Sequence, residues 1–197
     1  ETPIFLLATA GMRLLSPPKQ AEILYETCRF LKTQTNFKID AASDAGPCGS
    51  SVRIITGEEE GLFGWIAVNY LMDGFTGSLD QRTTYGFLDM GGASTQIAFE
   101  PSEESRKSTN TKDLIDVRLR LMGGEEISHK VFVTTWLGYG TNQARERYAG
   151  KAISEFEETR KEGDDVVEDP CLPKGLELTE KPVLTAPASS HFKEKHT

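Results

Sequence analysis

A short segment near the middle of the chain combines side chains that bind phosphate or metal with glycines that leave the backbone open. Residues 89–96 read DMGGASTQ, so a carboxylate precedes two glycines, and two hydroxyls and a carboxamide follow. Bare backbone lets N–H groups approach phosphate oxygens closely, and Asp89 can hold the water shell of a divalent cation. A glycine pair between two strands is more often a simple hairpin turn, so this segment needs support from elsewhere.

Two further segments place reactive side chains at the ends of predicted strands. ATAGMR at residues 8–13 sets Thr9 beside a glycine, and GEEEGLFGW at residues 57–65 sets three carboxylates where a strand gives way to a helix. A free carboxylate such as Glu60 can accept the proton of an attacking water, although acidic residues at a helix start often only complement its dipole. Because ligands of open α/β sheets bind at strand ends, we expect all three segments to share one cleft.

The elements that must position these segments alternate between strands and helices, which predicts an α/β fold with mixed sheets. Residues 102–113 are predicted to be a solvated loop, and the proline-rich, charged stretch from residue 164 to be irregular. Strands are predicted at 3–10, at 51–57, on both sides of the glycine pair and within 114–140, and helices at 16–32, 58–75 and 141–163.

The composition excludes several classes of protein. The 197 residues are 38% hydrophobic and 26% charged, which is typical of a globular chain with a real core. The net charge of −8 argues against a general nucleic-acid binder, and an acidic protein needs local donors or a bridging metal to bind a polyanion. The three cysteines lack the spacing of a zinc site. Their odd number, and a start inside a strand, suggest a piece of a longer protein.

Taken together, the segments resemble a known family. ATAGMRLL, ITGEEEGLFGWIAVNYL and FLDMGGASTQIAF resemble the second, third and fourth conserved regions of the nucleoside triphosphate diphosphohydrolases, the apyrase family, in family order. VTTWLGYGTNQARERY and DPCLP are similar to Golgi-type members from fungi. The resemblance covers residues 2 to about 173. It implies the two-lobed, actin-like ATPase (RNase H-like) fold, incomplete in this chain: part of one lobe at 1–82, part of the second at 83–173, and an irregular tail or link at 174–197.

The resemblance also implies roles for individual residues. It selects Glu60, rather than Glu58 or Glu59, as the general base, and it matches Asp89 to the aspartate that binds Ca²⁺ or Mg²⁺ through water. Thr9 matches a threonine beside the same water shell. The residues matched to phosphate and nucleophile binding are Gly91, Gly92, Ala93, Ser94, Thr95 and Gln96, whereas Arg13 and Trp65 are interpreted as structural.

The sequence departs from the family pattern in one important way. A first phosphate loop of the type Asp-Ala-Gly-Ser-Ser-Gly-Thr-Arg should precede residues 8–13, and none does. SDAGPCGSSVR at residues 43–53 resembles that loop, but it follows the second motif and is interpreted as a surface turn. The fifth conserved region and the base-binding residues are also missing. Whether this segment turns over substrate by itself is therefore left open.

Cysteines pair in the secretory members of the family. The resemblance implies a disulfide between Cys28 and Cys48, with Cys171 paired outside this stretch; the alternative is three free thiols.

The function implied is metal-dependent hydrolysis of nucleoside di- and triphosphates of the GDP, UDP, ADP and ATP class, by attack of water on the terminal phosphate. The expected location is the Golgi lumen, with a membrane anchor outside this segment. Two alternatives stay open: an exopolyphosphatase-type phosphatase of the same superfamily, and a nucleotide-binding module without turnover.

Overall fold

A computed structural model describes residues 2–77, 83–108, 114–163 and 166–177 of the chain, which contain helices and two β-sheets. This confirms the predicted α/β class with mixed sheets. The strands are β1 (Leu6–Ala8), β2 (Val52–Ile54), β3 (Phe87–Met90), β4 (Ser94–Phe99), β5 (Leu114–Arg120) and β6 (Glu126–Leu137). The helices are α1 (Ala10–Arg13), α2 (Pro17–Gln34), α3 (Gly57–Leu71), α4 (Glu103–Ser108) and α5 (Thr141–Thr159).

The first sheet pairs β1 and β2 in parallel, so both strands end at the same edge. Helix α2 connects them, and prolines occupy its first turn, where a missing N–H leaves no bond unmade. Cys28 on α2 is bonded to Cys48, with 5.7 Å between their Cα atoms, and both are buried with Leu31 and Val52. The predicted Cys28–Cys48 disulfide is confirmed, while the partner of Cys171 stays a prediction.

The second sheet is antiparallel, in the order β3-β4-β6-β5, and α3 packs on it through a row of glycines. A Cβ added to Gly57 would lie 2.1 Å from Thr135 Oγ1, and one added to Gly64 would lie 2.2 Å from the Phe87 ring. Only glycine lets the helix approach the sheet this closely. Trp65 follows on the same helix, fully buried in the main core, in agreement with its predicted packing role.

One predicted loop contains a helix. The sequence predicts a solvated loop over residues 102–113, but Glu103–Ser108 forms α4. The reason is local, because the Ser102 hydroxyl accepts the Ser105 N–H at 3.2 Å and two glutamates lie in the first turn. Residues 109–113 lie outside the described part of the chain.

The chain divides into two compact units, Glu1–Thr141 and Asn142–Thr197. Within the second, Asp169 accepts hydrogen bonds from Arg145 and Tyr148, which fastens the DPCL segment to α5. The predicted lobe boundary at residue 82 and most of the tail at 174–197 fall outside the described residues, so the lobe assignment stays a prediction. None of the described helices is long and apolar enough to cross a membrane.

Candidate active site

The three carboxylates at the start of α3 point in different directions and make different contacts. Glu59 closes a capping box with Thr56 and forms a two-bonded ion pair with Arg53, at 2.8 and 2.9 Å. These hydrogen bonds, chiefly the one from Arg53, hold the pKa of Glu59 below its ordinary value. Glu58 is exposed. Glu60 lies one residue further round the helix and faces the second sheet.

Glu60 is held by a residue from a distant part of the sequence. Arg13, the last residue of α1, donates from Nη2 to Glu60 Oε2 at 2.8 Å and to Ser94 Oγ at 3.3 Å. Its Nη1 donates to the Ile55 carbonyl at 2.7 Å, which fixes the guanidinium against the end of β2. Both charged side chains are mostly buried, with 15% and 16% of their surface exposed. Hydrogen bonds between ionised partners in this setting are stronger than those at an open surface.

Strand β4 supplies the other side of the site. Ser94 and Gln96 alternate onto the same face of the strand, and they are 1% and 0% exposed. Gln96 Nε2 lies 2.6 Å from Ser94 Oγ and 3.4 Å from Glu60 Oε2. The second and third motifs are thus joined to the fourth in one hydrogen-bonded network, as the shared-cleft prediction requires.

The network includes one residue that the sequence did not single out. Thr135 on β6 lies opposite Gln96 in the sheet register, and its Oγ1 is 3.2 Å from Gln96 Nε2. Only the strand register could have found it. The side-chain oxygen of Gln96 is buried without a hydrogen-bond partner. Buried acceptors are normally satisfied, so this oxygen is placed to accept a hydrogen bond from a water or a ligand.

Asp89 and Thr9 belong to the same motifs as the network residues but make none of its hydrogen bonds. Asp89 on β3 is paired with Gln96 across the sheet, so their side chains share the face that α3 covers. Thr9 lies between β1 and α1 as the N-cap residue of α1; its side chain is exposed and makes no capping bond. Thr95 alternates to the opposite face from Ser94 and donates to the Tyr139 carbonyl at 2.7 Å.

The glycine loop, residues 91–93, forms the turn between β3 and β4. Gly91 N–H donates to the Ser94 carbonyl at 3.0 Å and closes the turn. Neither Gly91 nor Gly92 has a positive φ. What glycine provides at these two positions is the absence of a side chain, which leaves room beside the backbone N–H groups.

The donor set fits a hydrated divalent ion better than a fully protein-bound one. Among the described residues, no group of three or more His, Cys, Asp or Glu side chains could hold a metal. One carboxylate, Asp89, is a hard oxygen ligand of the kind that Mg²⁺ and Ca²⁺ take, and Mg²⁺ in particular keeps several of its own waters.

Such an arrangement can bind an anion against backbone N–H groups and take a proton from water at Glu60. Over 79% of its length, the chain resembles the structure of a nucleoside triphosphate hydrolase from Neospora caninum, with a TM-score of 0.51, 24% identity and 28% of that chain covered. The two share a fold, which confirms the actin-like ATPase architecture, partial in this chain.

The sequence matches the GDA1/CD39 (nucleoside phosphatase) family over residues 1–195, and the chain belongs to that family. It is 44% identical to the Golgi apyrase of Schizosaccharomyces pombe over 178 residues and 40% identical to that of Saccharomyces cerevisiae over 182. These matches cover 89% and 88% of this chain but 28% of each relative. The chain therefore spans less than a third of the length of these relatives.

Proposed function

We propose that the full-length protein hydrolyses nucleoside di- and triphosphates at this site, with Glu60 as the general base. The observation that carries the proposal is the network in which Gln96 Nε2 reaches both Glu60 and Ser94. The network places Glu60, a carboxylate that can accept a proton, next to β4, the strand that follows the glycine loop. Family membership and the apyrase relatives support the nucleotide substrate.

In this proposal Glu60 takes the proton of the attacking water, and Gln96 orients that water. The unpartnered Gln96 oxygen would accept one of its hydrogens, while Glu60 accepts the other. Arg13 keeps Glu60 in one orientation through its three hydrogen bonds. Ser94 and backbone N–H groups of the glycine loop would hold the terminal phosphate in line with the water, which is the main catalytic contribution in phosphoryl transfer.

The proposal includes a Ca²⁺ or Mg²⁺ ion, held through water by Asp89 and Thr9. When bound, the ion neutralises charge on the phosphates, which an acidic protein needs in order to accept a polyanion. Asp89 faces the same side of the sheet as Gln96, which suits this role. Thr95 is the weakest member of the proposed phosphate-binding set, because its hydroxyl is already bonded to Tyr139 on the other face.

The proposed location is the Golgi lumen, with the membrane anchor outside this segment. The names of the relatives support the compartment, and the Cys28–Cys48 disulfide suits an oxidising lumen.

The test is Glu60→Gln in the full-length protein, with phosphate release measured across nucleoside di- and triphosphates and polyphosphate, with and without chelator. We expect turnover to fall at least about 100-fold while nucleotide still binds. Glu58→Gln removes the same charge from an exposed position, two residues before Glu60, and should leave turnover unchanged. Near-normal phosphate release by Glu60→Gln would contradict the base assignment. Release from polyphosphate alone would favour the exopolyphosphatase-type alternative, and nucleotide binding without any phosphate release would favour the nucleotide-binding module without turnover.

A further inference from the structure

The backbone of the glycine loop is hydrogen-bonded to residues 138–141, a segment that follows β6 and that we call the strap. Gly138 N–H donates to the Ala93 carbonyl at 2.7 Å, and Thr141 N–H donates to the Gly91 carbonyl at 2.8 Å. The Thr141 hydroxyl also donates to the Gly91 carbonyl, at 3.2 Å. Two of the three loop carbonyls are therefore tied to the strap.

The contact is too close for any side chain. A Cβ on Gly140 would lie 2.4 Å from Gly92 C, 2.4 Å from Ala93 N and 2.6 Å from Gly91 O. All three are backbone atoms, which cannot move aside as a flexible side chain can. Gly140 has no positive φ, so the requirement for glycine at this position is the approach itself.

The hydrogen bonds to these carbonyls fix the direction of the neighbouring N–H groups. In a planar trans peptide the C=O and the following N–H are directed oppositely. The strap holds the Gly91 and Ala93 carbonyls, so it aims the N–H groups of Gly92 and Ser94 away from itself. Preorganised donors are the groups that stabilise charge developing in a transition state.

We propose that the strap is a positioning element for catalysis, in which Gly140 and Thr141 set the direction of the loop N–H groups that receive the phosphate. This inference rests on the function proposed above and deepens it. The strap residues need not touch the substrate, since they act through the backbone of residues 91–93.

The experiment compares Gly140→Ala, Thr141→Val and Thr141→Ser in the full-length protein, measuring kcat, KM and thermal unfolding with a nucleoside diphosphate and Mg²⁺. We expect Gly140→Ala to lower kcat about 100-fold, the effect of a misplaced donor, with KM changed much less. Thr141→Val should lower kcat about 5-fold, as for one lost neutral hydrogen bond. Thr141→Ser keeps the hydroxyl and should restore the wild-type value.

Gly123→Ala is the matched control, because this turn glycine has open space where the Cβ would go and no positive φ. Its kcat should equal that of the wild type. If Gly140→Ala fails to fold, the Thr141 pair decides the question. Equal kcat for Thr141→Val and Thr141→Ser, or a rise in KM at constant kcat, would overturn the proposal. An inactive wild-type protein would overturn the proposed function instead, so the two failures are distinguishable.

Discussion

Arg13 and Glu60 are 47 residues apart in sequence, and their side chains form a mostly buried ion pair with 2.8 Å between Nη2 and Oε2. The guanidinium also donates to the Ile55 carbonyl and to Ser94 Oγ. One side chain thus links the end of the parallel sheet to the antiparallel sheet. The contacts that give Arg13 its expected structural role also hold Glu60 in place.

Replacing Arg13 with lysine should lower turnover even though the charge is kept. The planar guanidinium makes three hydrogen bonds in fixed directions, and a single ammonium cannot reproduce that geometry. We expect a loss of about 10-fold in kcat for Arg13→Lys and about 100-fold for Arg13→Gln. Steady-state kinetics of the full-length protein measure both. Arg29→Lys, at an exposed ion pair with Glu26, serves as the control and should be silent.

The sequence was sufficient to predict that the three motifs meet, because each is a short segment at the end of a predicted strand. It could not predict the role of Arg13, since an arginine in a short helical turn gives no sign of its distant partner. Thr135 was equally hidden, because its contact with Gln96 depends on the register between β4 and β6. The α4 helix was missed because polar, serine-rich residues suit both a loop and a capped helical turn.

Gly64→Ala should destabilise the protein although alanine is the better helix former. The added methyl would lie 2.2 Å from the Phe87 ring. Overpacking costs about 1–3 kcal/mol, and a contact this short should place the cost toward the upper end, above the gain of about 1 kcal/mol in helix propensity. Urea unfolding measures the difference. Gly150→Ala, in α5 with open space around it, tests the propensity gain alone and should be neutral or slightly stabilising. Equal behaviour of the two variants would contradict the close packing of α3.

Glu59 should make the folded state sensitive to acid. Its pKa is lowered in the folded protein, chiefly by the hydrogen bond from Arg53. A lowered folded pKa gives stability that is present above the unfolded value, near 4.5, and is lost as the pH falls through the folded value. Glu59→Gln keeps the capping-box geometry but cannot titrate. We expect its unfolding midpoint to depend less steeply on pH below about 5. A midpoint that depends on pH equally in Glu59→Gln and in the wild type would contradict this role of Glu59.

The disulfide between Cys28 and Cys48 should contribute about 2–4 kcal/mol, because it restricts the unfolded chain across a separation of 20 residues. Cys28→Ala, Cys48→Ala and the double variant are compared by urea unfolding under non-reducing conditions. Either single change breaks the bond, so each should cost nearly as much as the double change, giving strongly non-additive losses. Losses that simply add would mean that the two thiols stabilise the fold independently, and the covalent link would then have no measurable effect.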